Sequence, residues 1–501
     1  MQIVGKGTVA ALFVLGACAE APSGNLNLVL TLPGEGDLRP EGMTMVAVAV
    51  RTADGSESVT TTPLDGTRFS AGEVKDGLPI FLSVQLRDIQ NTLVGFGSLD
   101  EPFTPTVSEQ EVTIAVRKPI VYVATGGAPH TIDTTRDALD PKYQGSMSSL
   151  TDANLIVPID GTEVAVMSST GLTRVATADH LPVGPSVNFG FGTVLDAAAV
   201  PGQRKLAVAT TMGLVVFDIE SGLGTMRPLS PGPSRVAIGG GIDTGFTVYL
   251  LQNRVAAPTG TGACTGSSQV VAFSLENPTE QAAMVAMGAP ISDIAAAGPA
   301  VFGSNPCAGQ VRRLDAGTPA VMMGLTGASV LAVEGGRLWG AGSLTGPGGA
   351  QILLGSINLD GSGVQQVRLP PKAEVATYDF DDKKELSINM HADTNVALDL
   401  AVLPSSQQVA LITRMDAHRA PRGDGLSVVI PEMDMVVHDL IIADTSNGSV
   451  VQRIRSKCTL NDHFPNNAEF PRWSCIAITA PAAPTGGEMT PLAVGALYGG
   501  R

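Results

Sequence analysis

The chain has 501 residues, a formal net charge of −16 and a pI of about 4.8, and its lysines and arginines form no cluster. That balance argues against nucleic acid as a partner, because phosphate binding needs a basic face. Aromatic residues make up only 4%, few for a carbohydrate binder that stacks rings on sugars, while 58 glycines and 34 prolines beside 44% hydrophobic residues point to many short strands and tight turns rather than to disorder.

Residues 1–7 carry one cation, Lys6, and are followed by an uncharged, mostly apolar run from Thr8 to Ala17. About ten residues is the length of a signal-peptide core and too short to cross ~30 Å of hydrocarbon as a helix. The run ends Leu15-Gly16-Ala17-Cys18. This resembles the lipobox of bacterial lipoproteins, in which small residues fit the chain into the peptidase and the cysteine thiol accepts the lipid. The resemblance implies that residues 1–17 are a signal peptide and that Cys18 becomes a lipidated N-terminus. It also implies a lipid-anchored place in the cell envelope, at the outer membrane, since Ala19 rather than aspartate follows the cysteine. Several acyl chains at ~0.8 kcal/mol per buried methylene make such an anchor essentially permanent. The competing reading is an ordinary signal peptide with a chance cysteine. No later run of 18 apolar residues occurs, so nothing after Cys18 is expected to cross a membrane as a helix.

Residues 18–24 read as anchor and linker. Over 25–118, seven alternating runs are separated by turn signals such as Asp54-Gly55 and Asp65-Gly66: NLNLVLTL, MTMVAVAVRT, ESVTTTPL, RFSAGEV, IFLSVQLRD, TLVGFGS and EQEVTIAVRK. Period-two alternation in short runs predicts a small β-sandwich, Ig-like or prealbumin-like in kind.

From residue 119 the pattern changes. The strings VLDAAAVPGQRKLAVATT, ISDIAAAGPAVFGS, ASVLAVEGGRLWGAG and ALDLAVLPSSQQVALIT share one grammar: an apolar run, a Pro- or Gly-rich turn, and a second apolar run ending in small or hydroxyl residues. Second runs start near Ile120, Glu163, Lys205, Thr247, Ala300, Arg337 and Gln408. The intervals are 43, 42, 42, 53, 37 and 71 residues, and the recurring period near 42 is the length a four-stranded propeller blade requires. VYVATGG at 121–127 resembles the strand that names the YVTN-type propellers, and RLWGAGS followed by GSINLDGSG resembles a YWTD-type repeat. The expected all-β architecture is therefore a β-sandwich followed over 119–501 by a roughly seven-bladed β-propeller, six or eight blades remaining open. An insertion is expected at about 371–396, and the closing strings WSCIAITAP and PLAVGALYG fit the same grammar, so that the last could share a blade with 119–126.

Besides Cys18 there are four cysteines, Cys264, Cys307, Cys458 and Cys475. An even number in close pairs suits a disulfide framework outside the cytosol. Three connectivities are open, and the local one, Cys264–Cys307 with Cys458–Cys475, would staple loops within single units. Zinc is disfavoured by the absence of C-x-x-C spacing and paired histidines.

The sequence contains no G-x-S-x-G, H-E-x-x-H, Walker-type or complete G-x-G-x-x-G motif, and its histidines (130, 180, 391, 418, 438 and 463) are dispersed. His438-Asp439 reads as part of a strand. The acidic stretch from Tyr378 to Glu385, with Asp379, Asp381, His391 and Asp393, offers oxygen ligands of the kind calcium takes, but a solvated insertion loop is the simpler account. Asp360-Gly361-Ser362-Gly363 reads as a tight turn. No catalytic, cofactor or metal set emerges. The leading expectation is a membrane-anchored binding or scaffold module for a protein or small ligand; the alternative is a propeller-fold hydrolase or lyase with its site at the channel mouth. Carboxylates or histidines converging at that mouth would favour the enzyme, and a lining of small and hydroxyl residues would favour binding.

Overall fold

The computed structural model describes residues 23–497 apart from short stretches, the longest being 134–143, 256–265, 462–472 and 479–492. Cys18, Cys264, Asp381, His391, Asp393 and His463 lie outside the described residues. All regular elements among the described residues are strands.

The seven runs at the N-terminal end form β1 (Ser23–Thr31), β2 (Met45–Thr52), β3 (Glu57–Pro63), β4 (Arg68–Lys75), β5 (Ile80–Arg87), β6 (Leu93–Ser98) and β7 (Gln110–Ala115). They make two sheets, ordered β4-β1-β7 and β3-β2-β5-β6, with β1 antiparallel to β4 and parallel to β7. Every second residue of β1 and β2 points inward, so Leu26, Leu28 and Leu30 from one sheet share a core with Val46, Val48 and Val50 from the other. Alternation in the sequence is thus the direct trace of one-sided burial.

From Ile120 onward, seven sheets of four or five strands follow one another among the described residues, here numbered I to VII. In sheets II to VII the strand that comes first in the chain is the inner one, and neighbouring strands are antiparallel throughout. The inner strands of sheets II to VII are Leu155–Pro158, Val194–Ala199, Pro233–Gly241, Asp293–Ala297, Ala328–Glu334 and Thr394–Leu403. Sheet I is assembled from both ends of this region: Ala493–Leu497 pairs antiparallel with Ile120–Ala124, outside which lie His130–Asp133 and Gln144–Ser146. Each inner strand touches the next, I to II and onward to VII, and VII touches I, so the inner strands close a ring. This is the plan of a β-propeller.

The core consists of the interfaces between neighbouring sheets. Ile120, Tyr122 and Ala124 pack with Ile156, Val164 and Val166 of sheet II, whereas Val121 and Val123 pack with Leu403, Ala410 and Ile412 of sheet VII. Second strands are therefore buried on both faces. That explains why they read as continuous apolar runs such as Ile120–Ala124 rather than as alternating ones. Between sheets II and III, Phe189 and Phe217 meet edge to face at 5.3 Å within the same packing.

Sheet VII departs from the four-stranded rule. WSCIAI at Trp473–Ile478 is its fifth, outermost strand, and its middle strands Gln408–Arg419 and Met433–Asp444 are long. The expected insertion is a hairpin, Glu374–Phe380 against Lys384–Met390, in which Asp379 and Glu385 are register partners. Asp360 accepts hydrogen bonds from the Ser362 amide and hydroxyl (2.8 and 2.7 Å), and Gly361 and Gly363 have φ of 91° and 62°. The DGSG stretch is thus a tight turn that residues with a Cβ would enter only at a cost.

Candidate functional site

Inner strands begin, and second strands end, at one rim of the ring. Neighbouring inner strands splay apart, so their backbone groups at this rim need partners other than a regular ladder. Side chains supply them. The Ser292 hydroxyl donates to the Ser329 carbonyl at 2.9 Å, and the Ser329 hydroxyl donates to the Ala397 carbonyl at 3.1 Å, which stitches sheet V to VI and VI to VII. The Ser304 hydroxyl donates to the Ala328 carbonyl. These serines are buried, and each hydrogen bond of this kind contributes about 1 kcal/mol net.

Aspartates work in the opposite sense, accepting from backbone amides. The Val236 amide of sheet IV donates to Asp196 Oδ2 of sheet III at 2.9 Å. The Leu331 amide of sheet VI donates to Asp293 Oδ2 of sheet V at 2.8 Å. Asp399, in sheet VII, accepts from the Leu400 amide at 3.0 Å. Asp196 and Asp399 each come directly after a register shift in their inner strands, and Asp293 is the first residue of its own. Arg235 fills the matching place in sheet IV, again just past a shift.

Arg235 lies between two of these carboxylates. Its Nη1 is 3.6 Å from Asp196 Oδ1 and its Nε 3.4 Å from Asp293 Oδ1. The three side chains are 18, 14 and 12% exposed, so their charges meet with little solvent between them. Burial pushes both carboxyls above the ordinary range, while Arg235 pulls them back. Burial also works against the Arg235 charge, but Asp196, Asp293 and Asp399 outweigh it and hold the guanidinium protonated. Asp399 belongs to sheet VII and Arg235 to sheet IV. Groups on such distant sheets act on one another because both face the ring axis.

A fifth charge completes the cluster. Arg254 follows the second strand of sheet IV (Gly245–Gln252), and its Nε donates to the Ser292 carbonyl at 2.6 Å. Desolvation and then the Arg235 charge lower its pKa, with Asp293, Asp196 and Asp399 opposing. The residue is nonetheless exposed at the mouth. Below the cluster, Ala197, Ala198 and Ala199 in sheet III and Ala296 and Ala297 in sheet V are all half-buried along the inner strands. The axis is thus bordered there by small side chains.

No family model matches the chain, and no curated protein matches it in sequence. Among solved structures it is similar to a chain of the crystal structure of the nidogen/laminin complex, with 11% identity over 50% of this chain and 94% of that one at a TM-score of 0.35. It is also similar to the β-propeller domain of Cps50 (Swd1) from Myceliophteria thermophila, with 9% identity over 62% and 94% at a TM-score of 0.37. These overlays are partial. The ring of inner-strand contacts is what makes the chain a propeller.

Of the residues singled out in the sequence, His438 lies beside Arg414 in the register of sheet VII, and Asp439 is buried opposite Thr413. His130 opens a strand of sheet I and His180 lies in the connection between the third and fourth strands of sheet II, where the Tyr122 hydroxyl meets His180 Nδ1 at 3.3 Å. None of them belongs to the charge cluster. Among the described residues no group of three or more His, Cys, Asp or Glu is placed to hold a metal ion. Asp196, Arg235, Arg254, Asp293 and Asp399 were not singled out in the sequence. A signal was present for three of them: VLDAAAV, SDIAAAG and ALDLAVL, set one above another, put an aspartate in a single column.

Proposed function

We propose that this is a lipid-anchored envelope protein in which a seven-bladed β-propeller acts as a binding or scaffold module for a protein or small ligand. Residues 1–17 would leave as a signal peptide, Cys18 would carry the lipid at the outer membrane, and residues 25–118 would form an Ig-like or prealbumin-like sandwich that spaces the ring from the membrane. The observation that carries the binding reading is the state of the axial carboxylates. Asp196 and Asp293 each give one oxygen to a backbone amide and turn the other to Arg235. A propeller hydrolase or lyase would need one of them free to move a proton. The buried serines and the alanines along the inner strands suit a recognition surface instead. Affinity capture of the full chain from native membranes, followed by mass spectrometry, tests the reading: a partner retained by the wild type and lost on an Asp196→Ala/Asp399→Ala double variant supports it, and an empty capture sinks it.

For the anchor, Cys18→Ser is expected to abolish lipidation and move the protein out of the detergent phase in Triton X-114 partitioning. Equal partitioning of variant and wild type would refute the lipoprotein assignment.

The disulfides Cys264–Cys307 and Cys458–Cys475 are proposed on two supports. Cys307 lies in the connection after Ala300–Asn305 of sheet V, and Cys264 falls in the sequence between the second and third strands of sheet IV, so this pair would tie neighbouring sheets together rather than staple a loop within one unit as the sequence suggested. Cys458 and Cys475 are direct register partners on antiparallel strands, where Cα atoms about 4.5–5.5 Å apart fall within disulfide range. Non-reducing peptide mapping should recover both pairs, and four free thiols would count against pairing and export alike.

A further inference from the structure

We propose that Arg254 is the receptor for a carboxylate group at the axial mouth, an inference that rests on the binding-module reading and specifies the chemistry of its ligand. Arg254 is held in place before any ligand arrives. Asn253, with φ of 53°, turns the chain at the end of the second strand of sheet IV. The Nε hydrogen bond to the Ser292 carbonyl then fixes the plane of the guanidinium against the connection entering sheet V. With Nε engaged, Nη1 and Nη2 meet no acceptor among the described residues, although the residue stands exposed at the rim.

The neighbouring acids do not answer this need. Asp196 and Asp293 are engaged by Arg235 and by the Val236 and Leu331 amides, and Asp399 by the Leu400 amide. None of the three forms an ion pair with Arg254 within 4 Å. Two guanidiniums therefore share the mouth, and Arg235 repels Arg254, a repulsion that Asp293, Asp196 and Asp399 offset in part from a distance. A planar anion set across Nη1 and Nη2 would relieve that repulsion through parallel charge-assisted hydrogen bonds, the geometry in which arginine takes a carboxylate.

The same surroundings select the charge of the anion. Three aspartates face two arginines at the axis, and the whole chain carries −16. A single negative charge is matched by Arg254, whereas the second charge of a phosphate would meet the aspartates. Leu195, 42% exposed and one residue before Asp196 on the same rim, offers an apolar surface to whatever carbon chain the carboxylate terminates. The carboxylate could belong to a free organic acid or to the C-terminus of a peptide.

Saturation-transfer NMR on the full mature chain, with acetate as probe, tests the proposal. Acetate should receive saturation, inorganic phosphate at equal ionic strength should fail to displace it, and Arg254→Gln should weaken binding by about tenfold or more, as expected for loss of a charge-assisted pair. Arg254→Lys should retain part of the affinity, because the charge stays while the fork is lost. Both variants should keep the cooperative melt of the wild type, lowered by no more than a few degrees for loss of the hydrogen bond to the Ser292 carbonyl, about 1 kcal/mol. An N-acetylated tripeptide acid that binds about tenfold more tightly than acetate, with its amide silent, would identify a chain terminus as the source; equal affinities would identify a small free acid. Acetate binding that is absent, unchanged in Arg254→Gln, or displaced equally well by phosphate would overturn the proposal. A partner captured from membranes equally by wild type and Arg254→Gln would also overturn it, yet would leave the binding module standing.

Discussion

Deleting residues 491–501 is expected to unfold the ring rather than to shorten it. The strand Ala493–Leu497 supplies a five-pair antiparallel ladder to Ile120–Ala124 and touches the inner strands of sheets II and VII. Without it, Ile120, Val121, Tyr122, Val123 and Ala124, all now at 4% exposure or less, would become an inner edge open to water. Each large apolar side chain of that strand loses up to about 1.5–3 kcal/mol if bared. The ladder's hydrogen bonds add about 1 kcal/mol apiece. Together these approach the ~5–15 kcal/mol by which a whole domain is stable. The open ring would also present an apolar edge that invites pairing between molecules. Circular dichroism melts and size-exclusion chromatography should show loss of the cooperative transition and a shift to aggregates. A synthetic peptide spanning 489–501 should restore part of the transition by refilling the gap. A truncated chain that melts within a few degrees of the full one would show that the ring does not depend on this closure.

The strand that closes the ring was legible in the sequence, and the reason is physical. PLAVGALYG and the runs starting near Ile120, Glu163, Lys205, Thr247, Ala300, Arg337 and Gln408 all became inner or second strands of the ring. Second strands are buried on both faces, so selection for apolar residues acts at every position and leaves an unbroken string. Outer strands carry no such mark. LGTMRP at Leu223–Pro228 and AMVAM at Ala283–Met287 are largely exposed and could be taken for loops. WSCIAI was legible as a strand but not as a fifth one, because a strand's own residues do not record how many others precede it in its sheet. The charge cluster was hidden for another reason. Asp196, Arg235, Arg254, Asp293 and Asp399 are spread over some two hundred positions of about five hundred, and each resembles a lone polar residue in an apolar stretch. Only the column of aspartates repeats, and Arg254, which stands outside that column, becomes visible only when the ring brings sheet IV to the axis.

Replacing Arg235 with methionine is expected to cost about 3–5 kcal/mol at neutral pH, the range for removing one partner of a buried ion pair. The substitution keeps much of the apolar volume and removes the charge that Asp196 and Asp293 face at 3.6 and 3.4 Å. Both carboxyls already titrate above the ordinary value because burial opposes their charge, and without Arg235 they should titrate higher still. A carboxyl raised in the folded state favours folding most below its unfolded value, about 3.9, and that contribution is lost as pH rises through the folded value. The deficit of Arg235→Met should therefore be full at neutral pH and shrink as pH falls toward 4. The wild type gains in the same range as well, since its own Asp196 and Asp293 titrate above the ordinary value, but it gains less than the variant because Arg235 pulls both carboxyls back down. Glu163 responds in the opposite sense. The Arg174 guanidinium at 2.7 Å, aided by Arg204, holds its carboxyl below the ordinary range. Its contribution is present above the ordinary value and disappears on acidification in wild type and variant alike, so it cancels from the difference. Asp293→Asn should cost less than Arg235→Met, because Asn keeps an oxygen for the Leu331 amide while Asp196 still faces the arginine. Denaturant melts of the three proteins across the acidic range would decide the matter. A deficit that stays constant with pH, or grows on acidification, would mean that Arg235 does not hold the axial carboxylates in their charged form.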